Sequence, residues 1–417
     1  MCNIRNPYAV KSEMCIRGGV DLRANQPSQI TFMQNFVAEV QKDFAPQESF
    51  VTCPVGILFL LSTLFGTGAT RGRTGYQIAR TLHLRTPFTE RDLTGAQTEV
   101  KVFYEDMHDE LATQETYIQD RRVNVMTTSN GLFTKAGYEL QPYFLRRAKT
   151  EYQATVQQLD FNNQSESARH INNWVNQETR GLVPRIFSSP NELPADTRVA
   201  LFNVFTFKDT WQRVFMSHAT MDEEFHVSAG RTIKVPTMNM VEILPYANLP
   251  NMGVAMIKKP LQNSRYSFIV ILPTEKFNTD ALTPILAGQV TIKDLFTNLE
   301  SHTISLKLPK FNLKATKDLI RTLRAMGVED LFNRGMADLS GITTSERLYV
   351  NMLKQSVVLK VDEAGVEAAA VTSAIAVPTS LLIPDANFHV NHPFLCMIYD
   401  ESLHVPLIVA RVMEPRN

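Results

Sequence analysis

KVDEAGVEAAAVTSAIAVPTSLLIP, residues 360–384, opens with Asp362, Glu363 and Gly365 and closes on a Pro-Thr-Ser corner at residues 378–380. Between them lies an alanine-rich run in which Glu367 is the one charge. As a helix the alanines would be favourable, but Val366, Val371, Thr372, Ile375 and Val377 are β-branched and no polar face accompanies them. As a strand, one face carries Val366, Ala368, Ala370, Thr372, Ala374 and Ala376, all small and uncharged. The other face carries Glu367 and Ser373. Polar turns and proline at the ends predict an exposed loop, whereas the small face suits burial inside a sheet. The segment reads as a loop built to become a strand.

Outward from this loop the chain alternates helical and strand patterns. Apolar spacing predicts an amphipathic helix over 30–45 and a buried helix over 53–65. Strands are predicted at 123–133, 199–207, 267–272, 303–308 and 353–361, and a helix at 316–326 closed by Gly327. Mixed elements with mostly antiparallel-looking strands indicate an α+β fold. With 417 residues, 44% of them hydrophobic, the chain can bury a large core, and no linker, charge block or repeat divides it. One domain over 29–417 is expected, preceded by a flexible extension over 1–28. Lysine plus arginine and aspartate plus glutamate number 42 each, which gives no reason to expect nucleic acid or an anionic membrane. The longest apolar run, 55–65, is too short to span a bilayer.

Several blocks carry a resemblance to a known family. The chain resembles a serpin in the hinge around Glu363 and Gly365, and in FHVNHPF (388–394), which is similar to the family's F-x-x-N-x-P-F. NVFTFKDTWQRVF (203–215), followed by Thr220 and Phe225, resembles its strand-and-turn block with Trp211. LDFNNQSESARHINNWVNQETRGLVPRI (159–186), LPYANLPNM (244–252), FIVILP (268–273) and LPKFNLKATKDLIRTLRAMGVEDLFNRGMADLSGI (308–342) follow in serpin-like order. The resemblance runs from about residue 30 to 415. It implies three β-sheets, about nine helices and an exposed reactive-centre loop at about 363–384.

The implied function is inhibition of a serine protease rather than catalysis. The loop is offered as substrate, is cut, and inserts into the main sheet with the acyl-enzyme attached. Counting seventeen residues from the hinge glutamate places the bond at Thr379–Ser380. Glu363, Gly365, Val366, Glu367, Ala368, Ala369, Ala370, Val371 and Thr372 would form the hinge and the first inserting residues. Trp211, Asn203, Ser49, Cys53 and Gln355 would line the breach and shutter through which the loop enters. Two departures stand out: Ser49–Pro54 reads SFVTCP where the family has N-x-x-x-S-P, and Gln355 replaces the shutter histidine. Both alter the hydrogen-bond network expected there. Thr379 predicts a shallow, elastase-like specificity pocket, with chymotrypsin-like cleavage after Leu381 or Leu382 as the rival. A non-inhibitory serpin, acting as carrier, chaperone or storage protein, is the alternative function.

Other motifs have plainer readings. No G-x-S-x-G elbow or H-E-x-x-H site occurs. Gly66-Thr-Gly68 with Arg71 mimics a dinucleotide fingerprint but puts arginine where the third glycine belongs, so it reads as a helix end and turn. His389, His392 and Cys396 are interrupted by Pro393 and do not predict a metal site. No cofactor is expected. Arg121–Arg122 and Arg146–Arg147 read as solvated faces, Cys53 and Cys396 as buried thiols, and Cys2 and Cys15 as part of the extension. Asn163 heads a glycosylation sequon, relevant only to a secreted chain. The N-terminus lacks an apolar signal region, which favours a cytosolic or leaderless protein, with the extracellular space as the alternative. A monomer is expected.

Overall fold

Two large sheets share one hydrophobic core in the computed structural model, which describes residues 22–118, 121–366 and 383–415. Nine α-helices and three sheets are formed among these residues. The seven-stranded main sheet runs in the order Thr155–Leu159, Met126–Lys135, Val199–Phe207, Val350–Val361, with Phe311–Asp318 beyond Val350–Val361. The short strands Gly365–Val366 and Asp209–Thr210 complete it at one end. The nine-stranded sheet includes Arg231–Leu249, Val254–Pro260, Tyr266–Pro273, Phe394–Asp400 and Val405–Val412.

Val199–Phe207 is buried along its whole length because helices cover both of its faces. Ala200, Phe202 and Val204 pack in one cluster with Ile171, Trp174 and Val175 of helix Gln164–Glu178. Val199, Leu201 and Phe205 face the core shared with helix Pro54–Gly66. That helix is apolar all round and buried at every position, as the sequence predicted, and begins on a proline where no amide donor is needed.

The pairing inside the main sheet decides what the sheet can do. Val199–Phe207 and Val350–Val361 run parallel; after an irregularity between Val350 and Met352 they keep register from Met352 opposite Ala200 to Val357 opposite Phe205. A strand antiparallel to both could therefore enter between them and satisfy both sets of backbone groups.

Three expectations change. Helix Leu22–Val40 begins inside the stretch assigned to the extension. Residues 316–318 belong to strand Phe311–Asp318, and the helix after it is confined to Ile320–Ala325. The Asp318 carboxylate accepts from the Ile320 amide and so marks the switch. Gly327 does close that helix, at φ +102°. Finally, the single strand expected at 123–133 is divided between two segments, Arg121–Asn124 and Met126–Lys135.

Candidate functional site

Beyond Val361 the chain turns through residues 362–364 and comes straight back. The turn is held locally: the Asp362 amide donates to the Gly365 carbonyl at 3.0 Å, and the Asp362 carboxylate accepts from the Ala364 amide at 3.0 Å. Val366 then lies opposite Val361, antiparallel, on one side. On the other side Gly365 pairs with Thr210 and Val366 with Asp209. Asp209–Thr210 continues the line of Val199–Phe207 after a single residue. Two hinge residues thus already sit as a third strand at the mouth of the parallel pair, and both are buried.

Within the loop expected from about residue 363, Gly365 and Val366 are thus buried rather than exposed. It also gives Gly365 a reason beyond backbone freedom. A Cβ at this position would lie 2.2 Å from the Asp209 carbonyl oxygen, so only glycine admits the close approach of the two strands.

Trp211 forms the wall of the breach. Its indole Nε1 donates to the Asp362 carbonyl at 2.8 Å and its amide to the Ala364 carbonyl at 2.9 Å. The Phe215 amide donates to the Glu363 carbonyl at 3.0 Å. The Glu363 carboxylate meets the Lys310 ammonium at 2.8 Å and accepts from the Thr220 hydroxyl at 2.9 Å. Burial alone would raise the Glu363 carboxyl, but Lys310 and Thr220 outweigh it and hold the group below its ordinary value.

The shutter lies further down the same parallel pair. Gln355 sits opposite Asn203 in register and its amide nitrogen donates to the Asn203 side-chain carbonyl at 3.0 Å and the Cys53 carbonyl at 2.7 Å. Its oxygen accepts from the Thr52 hydroxyl at 2.9 Å and the Cys53 amide at 3.0 Å. Asn203 in turn donates to Asn130 at 2.9 Å. The altered network is therefore complete, with glutamine supplying two donor and two acceptor contacts. Cys53 takes part through its backbone, and burial pushes its thiol far above the ordinary value.

Ser49 is not part of this network. Its hydroxyl accepts from the Met413 amide at 2.9 Å and ties down the chain's last strand instead. Thr52 and Asn130 do the work that sequence reasoning sought at Ser49. The signal for Thr52 was present in its position one residue before Cys53.

Glu367, Ala368, Ala369, Ala370, Val371 and Thr372, together with Thr379 and Ser380, lie outside the described residues, as do Cys2 and Cys15. Asn163 is the N-cap of helix Gln164–Glu178: its oxygen accepts from the Glu166 amide and its Nδ2 donates to the Glu166 carboxylate at 3.0 Å. His392 Nε2 lies 2.9 Å from the Pro273 carbonyl, and no metal-binding group of three ligands occurs among the described residues. Among the described residues no helix is long and apolar enough to cross a membrane.

A family model, Serpin (serine protease inhibitor), matches residues 27–415. The chain belongs to the serpin family. Alaserpin of Manduca sexta is 32% identical over 68% of this chain and 72% of its own length. The human leukocyte elastase inhibitor is 28% identical over 83% of this chain and 88% of its own. Among solved structures, a serpin from the trematode Schistosoma haematobium superposes with a TM-score of 0.84 at 38% identity, covering 93% of this chain and all of that one. The family is described as one of serine protease inhibitors, and the fold of three sheets and about nine helices expected from the sequence is the one found among the described residues.

Proposed function

We propose that this serpin inhibits an elastase-like serine protease as a suicide substrate. The protease's serine oxygen attacks the Thr379 carbonyl and an ester bond forms. The Thr379–Ser380 amide breaks, and the Ser380 amine leaves carrying the proton. Residues 366–379 then enter the main sheet between Val199–Phe207 and Val350–Val361 and draw the acyl-enzyme with them, a device general to serpins.

One observation carries this reading: Gly365–Val366 is already paired with Val361 on one side and Asp209–Thr210 on the other. The next residues need only continue that strand. The energetics favour it. A strand of about a dozen residues, at ~0.5–1.5 kcal/mol per hydrogen bond, gives a driving force on the order of 10 kcal/mol before packing is counted. Small side chains at Ala368, Ala370 and Thr372 suit an interior that is already close-packed. The elastase-like target is supported by the small side chain of Thr379 and by relatives named leukocyte elastase inhibitors.

Incubation with a panel of serine proteases, followed by a denaturing gel, tests the proposal. A complex that survives boiling, with a released fragment beginning at Ser380, supports it. Clean cleavage with free, active protease overturns it in favour of a non-inhibitory serpin.

A further inference from the structure

A fully buried lysine lies under the breach. Lys259, on strand Val254–Pro260 of the other sheet, has 0% exposure. Its ammonium is 2.5 Å from the Glu242 carboxylate and donates to the Arg213 carbonyl at 3.0 Å. It also stands 5.5 Å from the centre of the Trp211 ring and 5.1 Å from that of Phe215. Burying an ammonium is costly, and Glu242 offsets that cost only in part, since the ammonium's pKa stays below its ordinary value. A pair of apolar residues would fill this space without that cost. The charge is aimed at one thing: residues 211–215.

Those residues are the ones that hold the hinge. Trp211 grips Asp362 and Ala364, and Phe215 grips Glu363, through three hydrogen bonds. Lys259 fixes the carbonyl between them and contacts both rings. The Gln212 amide, donating to the Pro260 carbonyl at 3.2 Å, ties the same segment to the same strand end. A rigid contact chain thus runs from Glu242 through Lys259 and residues 211–215 to the turn at 362–364.

We infer that Lys259, anchored by Glu242, is a positioning residue that holds the breach segment against the hinge and so sets how readily the loop enters the main sheet. This rests on the insertion reading above. The inhibitory step would be governed partly from the sheet that does not open.

The test measures insertion without any protease. A synthetic peptide spanning residues 366–379 is incubated with the native protein, and its uptake is followed by native gel shift. Rates are compared at the same interval below each variant's melting midpoint, so that general destabilisation cancels. Two variants carry the test. Lys259→Met with Glu242→Leu removes both charges at similar volume. Lys259→Gln removes the charge and shortens the side chain by one bond, which weakens its contacts to both Glu242 and the Arg213 carbonyl. Each should take up peptide about tenfold faster than wild type, the loss expected when a hydrogen bond from a charged group no longer holds the segment. Lys258→Met, which removes a partly exposed pair with Glu401 on the same strand, should stay within about twofold. If both Lys259 variants match wild type while wild type takes up peptide, the assignment of Lys259 is wrong. If wild type takes up no peptide at all, the insertion reading fails first and the inference falls with it.

Discussion

Asn203 and Gln355 face each other across two parallel strands, the pair that loop insertion would part, joined by a 3.0 Å hydrogen bond between buried amides. Asn130 extends the contact to a third strand. Helix Pro54–Gly66 makes room for it at Gly56, where a Cβ would lie 2.2 Å from the Asn203 oxygen. The closed sheet is latched here, below the point where the hinge has already entered.

Gln355→Ala should therefore weaken the closed state. It strands the Cys53 amide and carbonyl, the Thr52 hydroxyl and the Asn203 oxygen in a dry site, at a cost of about 3 kcal/mol. The variant should melt several degrees lower and convert spontaneously, on incubation near 40 °C, to a more stable inactive form with its loop inserted. Melting curves before and after incubation check this. A variant that melts like wild type and stays active shows that the latch lies elsewhere.

Gly365→Ala should disturb the uncleaved protein, contrary to what an exposed hinge would allow. The new methyl group meets the Asp209 carbonyl and costs about 2 kcal/mol as overpacking. Hydrogen exchange of peptides covering 362–366 should rise as the pairing with Asp209–Thr210 opens. Ala370→Pro offers the contrast. It removes a donor from the strand that forms on insertion, so it should convert inhibitor to substrate and raise the stoichiometry of inhibition. Unchanged complex formation by Ala370→Pro would contradict insertion.

The main sheet was legible where burial leaves a simple pattern. Val199–Phe207 is continuous and apolar because both of its faces are covered, and its bounds in the sequence and in the structure coincide. The helix expected at 316–326 was misplaced because Ala315, Lys317 and their neighbours suit either state, and pairing with Val350–Val361 settled it as strand. Trp211, Asn203 and Gln355 were found through block resemblance, and the structure brings each to the hinge or shutter. Ser49 was assigned by motif spacing, but a motif fixes position along the chain and not which side chain turns inward. The early entry of Gly365–Val366 depends on Asp209, more than 150 residues away, and Lys259 on Glu242 and Trp211. Such contacts have no local signature.

Asp209 predicts a pH effect. Its buried carboxyl is pushed up from 3.8 to about 6, mainly by burial, against hydrogen bonds from the Thr116 hydroxyl and the Asn263 and Thr210 amides. The native state then binds this proton more tightly than the unfolded chain. The resulting stability is fully present below pH 3.8 and is lost as pH rises through 6, a change of about 3 kcal/mol in all. Asp209→Asn cannot titrate. Wild type should therefore gain stability relative to Asp209→Asn between pH 7 and pH 4.5, measured as paired melting curves. A gap independent of pH would mean the carboxyl is not perturbed.

Thr379→Arg should move inhibition from elastase-like to trypsin-like proteases. A protease chooses chiefly on the residue before the cleaved bond. Threonine is small and β-branched; it cannot fill a deep aromatic pocket and offers no cation to an acidic one. Arginine supplies that cation, and a matched pair in a closed pocket is worth several powers of ten in rate. Because residue 379 is the last of the inserting segment, the strand formed by residues 366–378 is unchanged and trapping should persist. Association rates with the two protease classes, together with the mass of the released fragment, decide it. The fragment should begin at Ser380 in both proteins. A stable complex whose fragment begins at Leu382 or Ile383 would instead place the bond after Leu381 or Leu382, lengthening the inserting segment by two or three residues and making Thr379 a neighbour of the reactive bond rather than its first half.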